Sequence, residues 1–263
     1  MEFLAGNRIR GTSAEKTGMT VIDTITKDGS SQSINTATNG TTLVKSITIG
    51  NNSNRILIVS TGEYSAGVVS GVTLGSQNFV RAISRAHSSH GFITELWYLI
   101  NPTVGTADIT VTWSGTAGRR GITGTSFYNV DQSSPIGVTN YVDVGNVQQT
   151  TVSGTITPTT AGSMIIDAMI WLNGTQASLT LTAGAIQFIN NNDRSTGQQY
   201  STTPTIGSAN AMNYTASDVG HWIWVGVEVK ANLVLPKVVD GSIFYATDTN
   251  KSYVLYNDSW TEL

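Results

Sequence analysis

From residue 20 to residue 231 no stretch of the chain holds apolar residues at helical spacing. Short apolar runs recur instead, each closed by Gly, Asn, Ser or Pro. The clearest are Leu43–Ile49, Arg55–Thr61, Val68–Leu74, Phe79–Ser84, Ile93–Ile100, Asp108–Trp113, Ile122–Tyr128, Met164–Trp171, Leu179–Leu181, Ile186–Ile189 and His221–Lys230. Strands this short must satisfy their backbone groups against one another, which leaves a sandwich or a barrel. The expected fold is all-β: an antiparallel, jelly-roll-like β-sandwich over 20–231. An N-terminal arm over 1–19 and a small C-terminal β-hairpin unit over 232–263 flank it. No repeat of 20–50 residues stands out.

Alternation assigns faces. In Asp108–Trp113, Ile109, Val111 and Trp113 share one side and Asp108, Thr110 and Thr112 the other, so one face is wet. Ile56–Val59 and Met164–Ile166 are apolar on both sides and belong in strands covered twice. Leu96–Trp113 reads as a hairpin around a Pro/Gly connection at 101–106.

Charge is scarce. Charged residues make up 12% of the chain and the net charge is −3, against roughly 25% charged residues in an ordinary domain. There is no basic cluster for nucleic acid and no apolar run long enough for a membrane helix. The opening residues are too short and polar for a secretory signal. Cysteine is absent, so disulfides, a thiolate nucleophile and Cys-ligated metal are excluded, and stability must come from burial and sheet hydrogen bonds. The arm concentrates Arg8, Arg10, Glu15 and Lys16. The last segment concentrates Phe244, Tyr245, Tyr253, Tyr256 and Trp260, and is too small to fold alone. Such a segment has to pack on the main domain, on the arm, or on copies of itself, which makes these aromatics the candidate assembly residues.

Few groups suit acid–base chemistry. Glu63 and Glu95 each lack an acidic neighbour in sequence, so a glycosidase-type pair would have to form across strands. His87 and His90 have a chelating spacing but no third ligand nearby in sequence, and His221 opens a strand as a structural residue. Asp248-Thr-Asn250 has the oxygen-rich look of a calcium loop and equally the look of a hairpin turn. No metal, no cofactor and no catalytic set is expected, so the chain reads as no enzyme. In His221–Glu228, Ile223, Val225 and Val227 share one face and Trp222, Trp224 and Glu228 the other. The two Trp are either core or a platform for sugar rings, and Trp171 at a strand end is a weaker candidate of the same kind.

Three stretches carry a resemblance. Phe3-Leu-Ala-Gly-Asn-Arg-Ile-Arg-Gly-Thr-Ser-Ala-Glu15 is similar to the opening of proteins from tailed and marine viruses. Val239–Trp260, with Asp-Gly-Ser-Ile-Phe-Tyr followed by Ser-Tyr-Val-Leu-Tyr-Asn-Asp-Ser-Trp, resembles the terminal β-hairpin of viral fibre proteins. Val69–Gly75, Glu95–Pro102 and Ser126–Gln132 look like parts of a β-sandwich module of phage structural and secreted bacterial proteins. The resemblance implies a virion structural protein: a capsid, capsid-surface or fibre subunit in an extracellular particle. Its implied partners are copies of itself, as a trimer, and other virion proteins. The Trp reading implies the alternative, a carbohydrate-binding or adhesive module with a host glycan as partner.

Overall fold

The computed structural model describes residues 2–4, 8–18, 24–36, 38–64, 67–172, 179–181, 184–191, 194–232, 241–256 and 259–263. The chain opens with β1 (Glu2–Leu4), β2 (Arg8–Gly11) and a short helix α1 (Ser13–Gly18). There follow β3 (Thr26–Thr36), β4 (Gly40–Ile49), β5 (Ile56–Tyr64), β6 (Val69–Leu74), β7 (Gln77–Asn78), β8 (Val80–Ala86), β9 (Phe92–Ile100) and β10 (Gly105–Tyr128). Next come β11 (Ile136–Asp143), β12 (Gln149–Ile156), β13 (Met164–Leu172), β14 (Leu179–Leu181), β15 (Gly184–Asn191), β16 (Arg194–Ser201) and β17 (Asn210–Val229). The chain closes with β18 (Ile243–Ala246), β19 (Lys251–Tyr256) and β20 (Ser259–Glu262). The all-β, antiparallel sandwich architecture read from the sequence is the one the chain adopts.

Two compact units result: 24–231, and a terminal unit made of 1–23 with 232–263. Within 24–231 the strand pairing is duplicated. In the first copy, β3 and β5 pair with the end of β10 while β4 and β6 pair with its start. β9 pairs with β5, and β8 with β9. In the second copy, β11 and β13 pair with the end of β17, and β12 and β14 with its start. β16 pairs with β13, and β15 with β16. Only the two-residue β7 has no counterpart among the described strands.

Each copy is a small sandwich whose last strand is long enough to serve both of its sheets. β10 runs for 24 residues and β17 for 20. The sequence splits β10 into two strands around Gly115–Gly121; the backbone instead bends there and continues. Nor do β9 and β10 form the expected hairpin. β9 lies in the sheet of β5 and β8, whereas β10 begins beside β4 and β6, so the Pro102 connection crosses between layers.

Four layers and three cores follow. Leu57 and Val59 point into the outer core of the first copy with Ile109, Val111 and Trp113. Ile56 and Ile58 point the other way, into a central core with Met164, Ile166 and Val225. Ile165, Met169, Trp171, Trp222 and Trp224 fill the outer core of the second copy. β5 and β13 are therefore covered on both faces, as their unbroken apolar runs require. At Gly62 the two inner sheets approach closely: a Cβ there would run into the Thr196 side chain.

The terminal unit is one sheet ordered β1-β2-β18-β19-β20. β2 and β18 pair in parallel, Ile9 beside Phe244. The arm and the hairpin, separate segments in the sequence, are thus ordered against each other within one chain. α1 is fixed at its start by a capping box, with the Thr12 amide donating to Glu15 (2.8 Å) and the Glu15 amide to Thr12 Oγ1 (3.3 Å). Asp248, in the β18–β19 turn, accepts from the Ser13 amide at 3.0 Å and from its hydroxyl at 3.0 Å.

Candidate functional site

The Trp platform is not available to a ligand. Trp171, Trp222 and Trp224 are each 0% exposed in the outer core of the second copy. The alternation placing Trp222 opposite Ile223 is right, but β17 is covered on both sides, so neither face meets solvent. Trp224 is held by a 2.6 Å bond from its Nε1–H to Asp167 and Trp222 by a 2.7 Å bond to the Gln149 carbonyl. Asp167 itself accepts from Tyr214 (2.6 Å) and from the side chain and amide of Gln199. Burial pushes its carboxyl up to about 7, and these donors restrain the rise.

Glu63 and Glu95 do come together. Glu95 lies opposite Thr61, two residues from Glu63, so both carboxyls share one face of the first copy's inner sheet. Arg120, which sequence reasoning missed, lies directly opposite Glu63 on β10. The three are 2%, 1% and 4% exposed. Glu95 accepts from Trp97 Nε1 at 2.8 Å and from Arg81 at 3.4 Å. Arg120 donates to the carbonyls of Thr42 (2.8 Å) and Thr38 (3.1 Å). Both Glu63 oxygens lack a hydrogen-bond partner among the described residues. Burial drives the Glu63 carboxyl up to about 9; the Glu95 charge adds to the rise and Arg120 opposes it. A neutral, enclosed acid beside a fully engaged carboxylate is not placed to meet a polysaccharide.

The duplication gives this cluster a reference. Ile56 opposes Phe127 where Met164 opposes Val229. Counting along from there, the Glu63–Arg120 pair corresponds to Trp171–Trp222, an edge-to-face pair at 6.3 Å. One position holds an acid–arginine pair in one copy and an apolar pair in the other.

All three histidines of the chain meet. His87 and His90 frame the β8–β9 turn, and His221 joins them from the bend of β17, a ligand that sequence spacing could not supply. Ring centroids lie 4.9 Å (His87–His90), 5.7 Å (His87–His221) and 4.0 Å (His90–His221) apart. His87 Nδ1 accepts from the amides of Ser89 and His90, both at 3.1 Å. Its Nε2 is 3.7 Å from Asp143 Oδ1. Asp143 also accepts from the Ser88 and Gly145 amides, each at 2.9 Å, and so braces the turn. Burial lowers the pKa of His87 and of His90. A cavity of about 300 Å³ adjoins them, lined by Gly67, Val68, His87, His90 and Ser114 among others.

In the terminal unit the aromatics divide between two faces. Ile9, Phe244 and Ala246 form a small core with Tyr253 and Trp260, and Lys16 of α1 stands 3.0 Å over the Tyr253 ring. The opposite face carries Leu4, Arg8, Arg10, Ile243, Tyr245 and Tyr256, all exposed. Asp248 and Asn250 belong to the hairpin turn, Asp248 capping α1 and Asn250 accepting from the Tyr245 hydroxyl at 2.8 Å. Asp240 and Asp258, the other acidic residues around this oxygen-rich stretch in the sequence, lie outside the described residues. No protein-family model matches the chain, and no curated protein does.

Proposed function

We propose that the chain is a non-enzymatic structural subunit that associates with copies of itself through the open face of its terminal sheet. One observation carries the reading. The sheet is a single layer, closed on one side by its own small core and α1, while the other side shows Leu4, Ile243, Tyr245 and Tyr256, the last 65% exposed. Exposed apolar and aromatic side chains gathered on one sheet face, here interleaved with Arg8 and Arg10, suit an interaction surface. Phe244, Tyr253 and Trp260 then hold the unit together, and Tyr245 and Tyr256 make the contact. The assignment to a virion, and the expectation of a trimer, rest on the resemblance of the terminal segments.

The test is solution mass by light scattering on a sizing column. Deleting an arm is a poor probe, because β2 and β18 need each other. An Ile243→Asp, Tyr256→Ser double variant changes only outward-facing side chains. The full chain is expected as a closed oligomer and the double variant as a monomer with an unchanged circular dichroism spectrum. A wild-type chain that stays monomeric at high concentration would falsify the proposal.

A further inference from the structure

We propose that His87, His90 and His221 form a binding site for one borderline divalent transition-metal ion of the zinc or nickel type, tying the two copies of the repeat together. The residues come from far apart in sequence, two from the first copy and one from the second, and each offers a ring nitrogen within 4.8 Å of the others. Three imidazoles suit zinc, nickel or copper; calcium and magnesium ask for an oxygen-rich shell.

The hydrogen bonds say which nitrogens can serve. His221 Nδ1 is 3.2 Å from the Gly145 carbonyl, an acceptor only, so its proton sits there and the Nε2 lone pair points away, 3.3 Å from the exposed Gln148 amide. A ligating histidine is ordinarily held in this way by its other nitrogen. His90 Nδ1 is buried without a hydrogen bond among the described residues, and His87 Nε2, on a side chain that is 0% exposed, has Asp143 Oδ1 no nearer than 3.7 Å. A buried polar nitrogen without a hydrogen bond is destabilising, and two side by side are not what packing alone would select. Burial disfavours the charged form of both rings, so His90 can offer a lone pair near pH 7, whereas the lone pair of His87 faces the turn amides. The adjoining cavity of about 300 Å³ leaves room for water or a small anion to complete a tetrahedral shell.

His87 is the ligand that must change. Because its Nδ1 accepts two amides, its own proton is on Nε2. Ligation through Nε2 requires that single proton to move to Nδ1, giving the other neutral tautomer, so the turn has to release the Ser89 and His90 amides. The nitrogens must also close to roughly 3.3 Å from one another, the spacing set by bonds of about 2.0–2.1 Å in a tetrahedron. His90 and His221 therefore bind first and His87 completes the site.

The experiment uses tag-free full-length protein stripped with chelator, titrated with ZnCl2 and followed by calorimetry and by nitrogen NMR of the imidazoles. The expected result is one zinc per chain, shifts at all three histidines, a higher melting temperature, and faster amide exchange at Ser89 and His90. Binding should weaken as the pH is lowered, because protons compete for the same lone pairs. A His90→Gln, His221→Gln double variant should lose at least tenfold in affinity. Absence of stoichiometric uptake by the wild-type chain overturns the proposal, as does uptake that leaves the imidazole resonances in place. Should the double variant fail to fold, the wild-type imidazole shifts decide alone.

Discussion

Glu63 is an acid that the fold keeps protonated. Its pKa rises from an ordinary 4.5 to about 9, so between those values the folded chain holds a proton that the unfolded chain has released. Stability therefore falls as pH rises through that window. Asp167 behaves likewise, but its window closes at about 7, leaving Glu63 to dominate above neutrality. Between pH 7 and 9 the wild-type chain should lose on the order of 2–3 kcal/mol, at about 1.4 kcal/mol per pH unit. Glu63→Gln keeps the shape and removes the ionisation. Urea melts at the two pH values should show the variant nearly flat; a variant as pH-sensitive as wild type would refute the assignment. A second residue-scale test is steric. The Trp224 ring occupies the space where Gly154 and Gly226 would carry a Cβ. Gly154→Ala should displace the indole, weaken its bond to Asp167 and cost about 1–3 kcal/mol, read from melts and from a shift in Trp emission. The sequence shows which residues share a face with Trp224 through simple alternation. It does not show that a further layer covers that face, because the cover comes from β12, far off in the chain, and from the first half of β17, which bends back through Met212 and Tyr214.

Strands were more legible than their partners. Runs such as Ile56–Val59 and Met164–Ile166 announce doubly covered strands by composition, and β5 and β13 are buried on both faces. β10 was harder. Glycines near its middle look like turn material, and only cross-strand pairing with β3, β4, β5 and β6 shows that the backbone bends and continues. The arm was harder still, since its charged residues suggest an unpaired segment. In the structure Glu15 closes a capping box and Lys16 lies over Tyr253, so both charges are used locally. Asp248 connects the two ends by capping α1 from the hairpin turn. Loss of an N-terminal cap costs about 1 kcal/mol, and a unit with so small a core has little to spare. Asp248→Ala is expected to loosen α1 and β2 together, so that limited trypsin digestion cuts after Lys16 faster than in wild type. Unchanged cleavage would mean the cap contributes nothing to the unit.

The duplication escaped the sequence for a physical reason. The two copies conserve the pairing scheme while exchanging the chemistry at matched positions, Glu63–Arg120 in one and Trp171–Trp222 in the other. A sheet constrains side chains through their alternation and burial, and a partly satisfied charged cluster or a Trp pair can fill the same enclosed space. The copies also divide the work of holding their connections. Asp28 on β3 accepts from the Gly50 amide at 2.7 Å after β4, while Glu228 on β17 accepts from the Thr159 and Thr160 amides after β12. The inner sheets share one core, in which Ile56 and Ile58 meet Met164 and Ile166. Opening either copy alone would expose the other's inner face, at about 25 cal/mol for each Å² of apolar surface. The two copies should therefore open as one cooperative unit, while the terminal unit, with its own core of Ile9, Phe244 and Ala246, opens separately and at lower cost. Native-state hydrogen exchange separates these cases. Amides of β18 and β19 should exchange first, and those of β5 and β13 last, with a common opening free energy. If β5 and β13 opened at clearly different free energies, the shared core would not be coupling the copies, and each would be an independent sandwich.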